Sequence, residues 1–309
     1  MVKKFVYGTP FETEAVVKEI PSSEGNPDYG TFSTENGFSF TTKLADEDMV
    51  FGLGEANRGI NKRGFLYISD CADDPNHVES KTSLYAAHNF IIISGKTHVG
   101  FFFDYPGTLR FDIGYKTSDT MTVSCENADL HVYMITGDSD LDIVKQFRGI
   151  IGRSYIAPKF AFGYGQSRWG YKTEDDFRTV VKKYRENHVP LDMVYMDIDY
   201  MQDYKDFTVN EERFPDFEGF VQDMKKEKIH LVPIIDAGVK VEEGYDIYEE
   251  GCEKGYFCRR EDGSYFEATV WPGWTHFPDV LNADARKWFG DKYDVLVSKG
   301  IDAFWNDMN

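Results

Sequence analysis

Long apolar runs are missing from this 309-residue chain: no hydrophobic stretch exceeds the length of a strand. A membrane-crossing helix needs about 20 such residues, so no span is expected. No apolar segment follows Lys3 and Lys4 either, which argues against a secretory signal and leads to the expectation of a cytoplasmic protein. Basic residues are also scarce. Lys and Arg number 34 against 53 Asp and Glu, a formal charge of −19, and a surface so negative repels nucleic-acid phosphates and anionic headgroups. A neutral ligand suits it better. Cys71, Cys125, Cys252 and Cys258 are the whole cysteine complement, and their spacing fits neither a zinc ligand set nor a redox pair. Reduced, partly buried thiols are expected. What the chain does have is 41% hydrophobic and 16% aromatic residues, enough for one large core or two modest ones and too many for disorder.

Helical periodicity is nearly absent from the first half. Short runs rich in Val, Ile, Tyr, Phe and Thr, broken by Gly, Asn, Asp and Ser, predict strands there. Asn89 to Asp104 reads as two strands joined by a turn at Ser94, Gly95 and Lys96, and further strands are expected at Leu109–Tyr115, Met121–Cys125 and Leu130–Thr136. An antiparallel β-sandwich over residues 1–137 follows. From Asp138 the pattern turns helical: Leu141, Ile143, Val144, Phe147, Ile150 and Ile151 recur behind the N-cap candidates Asp138 and Ser139. This predicts a linker helix over 138–157.

From Pro158 onward apolar strands alternate with amphipathic helices. Strands are expected at Phe160–Gln166, Leu191–Ile198, His230–Ile235 and Ile301–Trp305. Helices are expected after Thr173, where an acid three residues on suggests a capping box, and at Gly219–Glu227, Tyr245–Tyr256 and Ala283–Ser298. Alternating βα units mean a parallel sheet covered by helices, either doubly wound or a (β/α)8 barrel. Gly163 and Gly165 lie inside the first strand rather than in a phosphate loop after it, so the barrel is preferred. A whole barrel takes about 250 residues. Residues 158–309 therefore read as its first half, about four βα units, and the fold class is multidomain β plus α/β.

Each strand ends in chemistry. Gln166-Ser-Arg-Trp-Gly-Tyr171, Met196-Asp-Ile-Asp-Tyr-Met201, Ile234-Ile-Asp-Ala-Gly238 and Phe304-Trp-Asn-Asp-Met-Asn309 follow the four strands, with Val270-Trp-Pro-Gly-Trp-Thr-His-Phe-Pro-Asp279 between the last two. Catalytic groups of such barrels sit at this end. Asp197, Asp236 and Asp307 alone could hold a divalent metal, but interleaved with Trp169, Trp271 and Trp305 they suit a sugar, whose C–H faces pack on indoles while its hydroxyls bond carboxylates. The plain alternatives are caps at βα turns, favoured for Asp199 and Asp203, and core packing for each Trp.

Trp305-Asn-Asp-Met-Asn309, with Asp197-Ile-Asp-Tyr-Met201, Ile235-Asp236 and Trp271-Pro-Gly273 in this order, resembles glycoside hydrolase family 31, the α-glucosidases and their relatives. Gly52-Leu-Gly-Glu55 and Leu84-Tyr-Ala-Ala-His-Asn-Phe90 are similar to that family's amino-terminal sandwich. The resemblance implies a retaining, exo-acting hydrolase of terminal α-glucosyl residues that works without a cofactor. It implies that Asp307 is the nucleophile, that Asp197 bonds the glucose hydroxyls, and that Trp271, Trp305 and Met308 wall the ring. Ile198, Ile235 and Asp236 match residues lining the same pocket, and Trp169 matches a position at its mouth where bulk biases linkage. Asp73 matches an acid extended over the site, with Asp74 beside it as a rival.

In that family the acid/base follows the nucleophile in sequence, whereas this chain ends two residues past Asp307. The expectation is a part of a longer enzyme, inactive alone. Its partners are expected to be α-glucoside oligosaccharides of maltose or isomaltose type, not nucleic acid or membrane, with homo-oligomer formation open. A non-catalytic carbohydrate-binding protein and a metal-dependent barrel enzyme using the strand-end aspartates are the rival functions.

Overall fold

In Phe38–Lys43 every second residue is buried, Phe38, Phe40 and Thr42, as expected of a strand with one face on a core. The computed structural model, which describes all residues except Ala72, Asp73 and Asn309, repeats this pattern through the first half. Its contacts divide the chain into two compact units, Met1–Tyr155 and Ile156–Asn309.

Among the described residues the first unit carries two antiparallel sheets. One runs in the order β1 (Val2–Tyr7), β10 (Leu130–Gly137), β7 (His98–Asp104), β6 (Phe90–Ser94), β4 (Met49–Gly52). The other runs β2 (Thr31–Ser33), β3 (Phe38–Lys43), β9 (Thr120–Cys125), β8 (Leu109–Ile113), β5 (Phe65–Ser69). Aromatic rings from both interlock between them: Phe40 meets Phe101 at 4.7 Å between centroids, and Phe103 meets Phe38 at 6.1 Å and Phe111 at 5.9 Å. This is the expected sandwich. Gly52 has a φ of +123° and passes so near the Phe90 carbonyl that a Cβ would lie 2.1 Å from it, which explains the glycine at the end of β4.

Helix α1 (Asp140–Ile151) is capped by Ser139, whose side chain accepts the Asp142 amide. All but the last two residues of the segment expected as a linker, 138–157, belong to the first unit. Ile143 packs with Ile92 and Ile135, and Phe147 stacks on Phe90 at 3.9 Å. The boundary falls after Tyr155.

In the second unit, parallel strands run in the order β11 (Gly165–Gln166), β12 (Met193–Met196), β13 (His230–Asp236), β17 (Trp305–Asp307). The helices are α2 (Glu174–Glu186), α3 (Phe217–Lys226), α4 (Asp246–Lys254), α5 (Ala283–Lys292) and the short α6 (Asp294–Val297). Thr173 and Asp176 form the expected capping box of α2. This is the parallel half-barrel. Two strand assignments shift. Lys159–Phe162 is a 3-10 turn, with the Phe160 ring stacked on His230 at 3.6 Å, so pairing begins only at Gly165. The last strand spans Trp305–Asp307 rather than Ile301–Trp305. After β13 a small antiparallel sheet is inserted, in the order β14 (Val239–Lys240), β16 (Gly273–His276), β15 (Glu267–Val270).

Phe220 on α3 is buried against Phe177 and Phe214, with centroids 6.0 and 5.8 Å away. Phe220→Ala is expected to cost about 3–5 kcal/mol through the cavity it leaves, and Thr173→Ala about 1 kcal/mol through the lost cap. Urea unfolding measures both. Equal losses would show that this helix layer is not packed as described.

Candidate active site

Strand register decides which side chains meet. Ile234 stands beside Trp305, Ile235 beside Asn306 and Asp236 beside Asp307, while Tyr195 stands beside Val232 one strand earlier. Successive strand residues face opposite ways. Tyr195, Asp197, Ile234, Asp236, Trp305 and Asp307 therefore share one face, on which the Tyr195 and Trp305 rings meet edge to face at 6.1 Å. The opposite face looks to the helices, where the Tyr293 hydroxyl donates to Asn306 Oδ1 at 2.6 Å. Ile235 belongs to that helix-facing side. Ile234, not singled out as a site residue in the sequence, lies on the aspartate face, whereas Ile235, matched to a pocket-lining residue, does not.

The three aspartates act on one another. Asp236 is 2% exposed, and neither of its carboxyl oxygens has a hydrogen-bond partner among the described residues. Burial, then the charges of Asp307 and Asp197, push its pKa up to about 6. Asp197 is raised as well, first by burial and then by Asp199 and Asp307, against the Ile198 amide that donates to its Oδ1 at 2.8 Å. A buried carboxylate with both oxygens unsatisfied is costly unless a ligand supplies donors. Sugar hydroxyls are such donors.

The other expected residues occupy the following positions. Ile198 is buried in a 3-10 turn, Ile198–Tyr200, directly after Asp197. Met308 follows Asp307 with a φ of 56°, a left-handed conformation that costs a side-chain-bearing residue about 1–2 kcal/mol. Trp169, in the loop after β11, is 68% exposed, and Trp271, in the turn between β15 and β16, is 56% exposed. Neither is a core residue. Trp305 is half-buried. Asp73 lies outside the described residues.

Asp199 does not cap its turn, which Asp197 does; Arg213 Nη1 instead donates to the Asp199 carbonyl at 2.7 Å and stands 3.5 Å from its Oδ1. Asp206, which the sequence reading passed over, accepts the Asp236 amide on its Oδ1 at 3.0 Å. No local spacing signals that contact, because 30 residues separate the partners. Among the described residues, no group of His, Cys, Asp and Glu is arranged to hold a metal ion.

Residues 154–309 match the family model described as the glycosyl hydrolases family 31 TIM-barrel domain, and residues 11–112 match the glycosyl hydrolase 31 N-terminal galactose mutarotase-like domain. An alpha-glucosidase 2 of Bacillus thermoamyloliquefaciens is 37% identical over 272 residues, covering 86% of this chain and 34% of its own length. An alpha-glucosidase of Saccharolobus solfataricus is 28% identical over 313 residues, covering 100% of this chain and 45% of its own. A Flavobacterium johnsoniae family 31 dextranase, solved with isomaltotriose, shares the fold with a TM-score of 0.81 at 23% identity, covering 89% of this chain and 34% of that one. The chain thus spans less than half the length of these relatives.

The raised pKa of Asp236 has a consequence for stability. Its folded value of about 6 lies above the usual carboxyl range, so its contribution is most favourable below about pH 4 and is lost as pH rises through 6. Ionising it in the folded state costs about 3 kcal/mol. Asp236→Asn removes that dependence. Relative to wild type, its melting temperature should rise between about pH 4 and pH 6 and level off above about pH 7; a difference that stays flat across that range would contradict a raised Asp236.

Proposed function

The chain belongs to glycoside hydrolase family 31, and from that premise we propose that it carries the nucleophile half of the active site of a retaining, exo-acting α-glucosidase. One observation supports this most directly. Asp307 and Asp236 stand side by side in parallel register on the face that carries Trp305, with Asp197 close enough to perturb Asp236.

The chemistry follows from that crowding. Cleavage of a glucoside passes through an oxocarbenium-like state, positive at the anomeric carbon. Carboxylates that repel each other all attract that charge, so their interaction improves as the barrier is climbed. Asp307 attacks the anomeric carbon from one side as the bond to the leaving oxygen breaks on the other, forming a covalent glycosyl ester. The leaving oxygen takes its proton from an acid that we place outside this sequence. Water, giving its proton to the group that acted as the acid, then attacks the anomeric carbon, breaks its bond to the Asp307 carboxylate and releases glucose with its α configuration retained. Asp197 and Asp236 accept hydrogen bonds from the hydroxyls of the bound ring, and Trp271, Trp305 and Met308 offer apolar surface to its C–H faces. Maltose-type or isomaltose-type oligosaccharides are the proposed substrates, with Trp169 biasing the linkage.

In the protein as its reading frame encodes it, Asp307→Asn should lower kcat on 4-nitrophenyl α-D-glucoside by roughly 10³-fold or more. Glucose affinity, measured calorimetrically, should stay within about threefold, because the amide keeps the shape of the carboxylate. A variant that still turned over would refute the nucleophile assignment. Saturable glucose binding by a wild type that never turns over would favour a binding protein instead.

A further inference from the structure

Asp206 is 1% exposed in the loop between the Ile198–Tyr200 turn and α3. Its Oδ1 accepts the Asp236 backbone N–H at 3.0 Å, and its own carbonyl accepts the Tyr245 hydroxyl at 2.8 Å. Two residues earlier in β13, the Ile234 carbonyl accepts the Tyr200 hydroxyl, also at 2.8 Å. The end of the strand is therefore held by bonds that come from outside the sheet.

The loop adopts an unfavourable shape to make this contact. Asp203, Tyr204 and Phe207 all have left-handed backbones, with φ of 51°, 59° and 62°, a conformation that persists only where surroundings enforce it. Those surroundings are visible on both sides of Asp206. Lys205 Nζ bonds Glu242 Oε1 at 2.7 Å, and the Phe207 ring lies between Phe289 and Tyr293, at 5.0 and 5.2 Å.

We infer that Asp206 is a positioning residue for Asp236: by accepting its amide from within the core, it fixes the end of β13 so that the Asp236 carboxyl stands beside Asp307. This rests on the reading of Asp236 and Asp307 as sugar-binding and nucleophilic groups. Asp206 does this as a neutral acid. The titratable groups facing it are Asp236 from β13, Tyr200 from the 3-10 turn, Tyr245 ahead of α4 and Tyr293 after α5, while the neighbouring Lys205 is engaged by Glu242. Burial, reinforced by Asp236 and only partly offset by the amide bond, drives its pKa well above the carboxylate range. A neutral acceptor of this shape can be replaced by an amide but not by a methyl group.

The test compares Asp206→Asn and Asp206→Ala in the protein as its reading frame encodes it, reading kcat/KM against pH on 4-nitrophenyl α-D-glucoside and hydrogen exchange at the Asp236 amide. Asp206→Asn should keep kcat/KM within about threefold, with an unchanged pH profile and a protected amide. Asp206→Ala should lose more than about tenfold in kcat/KM and exchange the Asp236 amide at least about tenfold faster. Wild-type behaviour of Asp206→Ala would overturn the positioning role. If Asp206→Ala does not fold, Asp206→Asn decides: a shifted acid limb or an exposed amide would show that the carboxyl is ionised or that the bond does not hold the strand. A wild type without turnover would count against the α-glucosidase reading, and amide exchange in the two variants would still decide whether Asp206 holds the strand end.

Discussion

Like charges crowded at the end of a parallel sheet are the constraint around which the second unit is arranged. Asp197, Asp236 and Asp307 share one face at one end of the strands, and the burial that raises two of them weakens the screening water would provide. Such a group would spread apart unless the backbone held it. The ladder between β13 and β17 fixes Asp236 beside Asp307. The Ile198 amide holds Asp197. In the proposed mechanism a positive transition state recovers the cost of that crowding.

The treatment of the neighbouring aspartates makes the same point by contrast. Asp199, two residues from Asp197, is buried just as deeply as Asp236 but has Arg213 as a counter-charge. Asp206 has no ion-pair partner among the described residues, and burial drives its pKa well above the carboxylate range while it accepts an amide. Asp236 has neither a cation nor a donor on its oxygens among the described residues. Charge that the protein neutralises for itself serves the fold. Charge it leaves unsatisfied at a strand end is available to a ligand.

Much of this could be read from the sequence because it is local. The alternation of Phe38–Lys43, the capping box at Thr173 and the aspartates following apolar runs are all set within a few residues. What could not be read depends on partners distant in the chain. Phe160–Gln166 looks like a strand, but its first turn stacks on His230 and leaves only two residues to pair. The resemblance matched Ile235 to a pocket-lining residue, whereas strand geometry puts neighbours on opposite faces and sets Ile234 on the face of Asp236. Asp206 carries no local signal, since its role arises only when its loop folds onto the end of β13.

The central claim is that Asp307 attacks the anomeric carbon, and a mechanism-based label tests it most directly. In 5-fluoro-α-D-glucosyl fluoride the leaving group needs little acid assistance, and ring fluorination slows breakdown of the glycosyl ester, so an adduct can accumulate even where proton donation is weak. Intact and peptide mass spectrometry should find one fluoroglucosyl group per chain, attached to Asp307 and absent from Asp307→Asn. An adduct on another carboxylate, or none in a protein that turns over α-glucosides, would contradict the assignment.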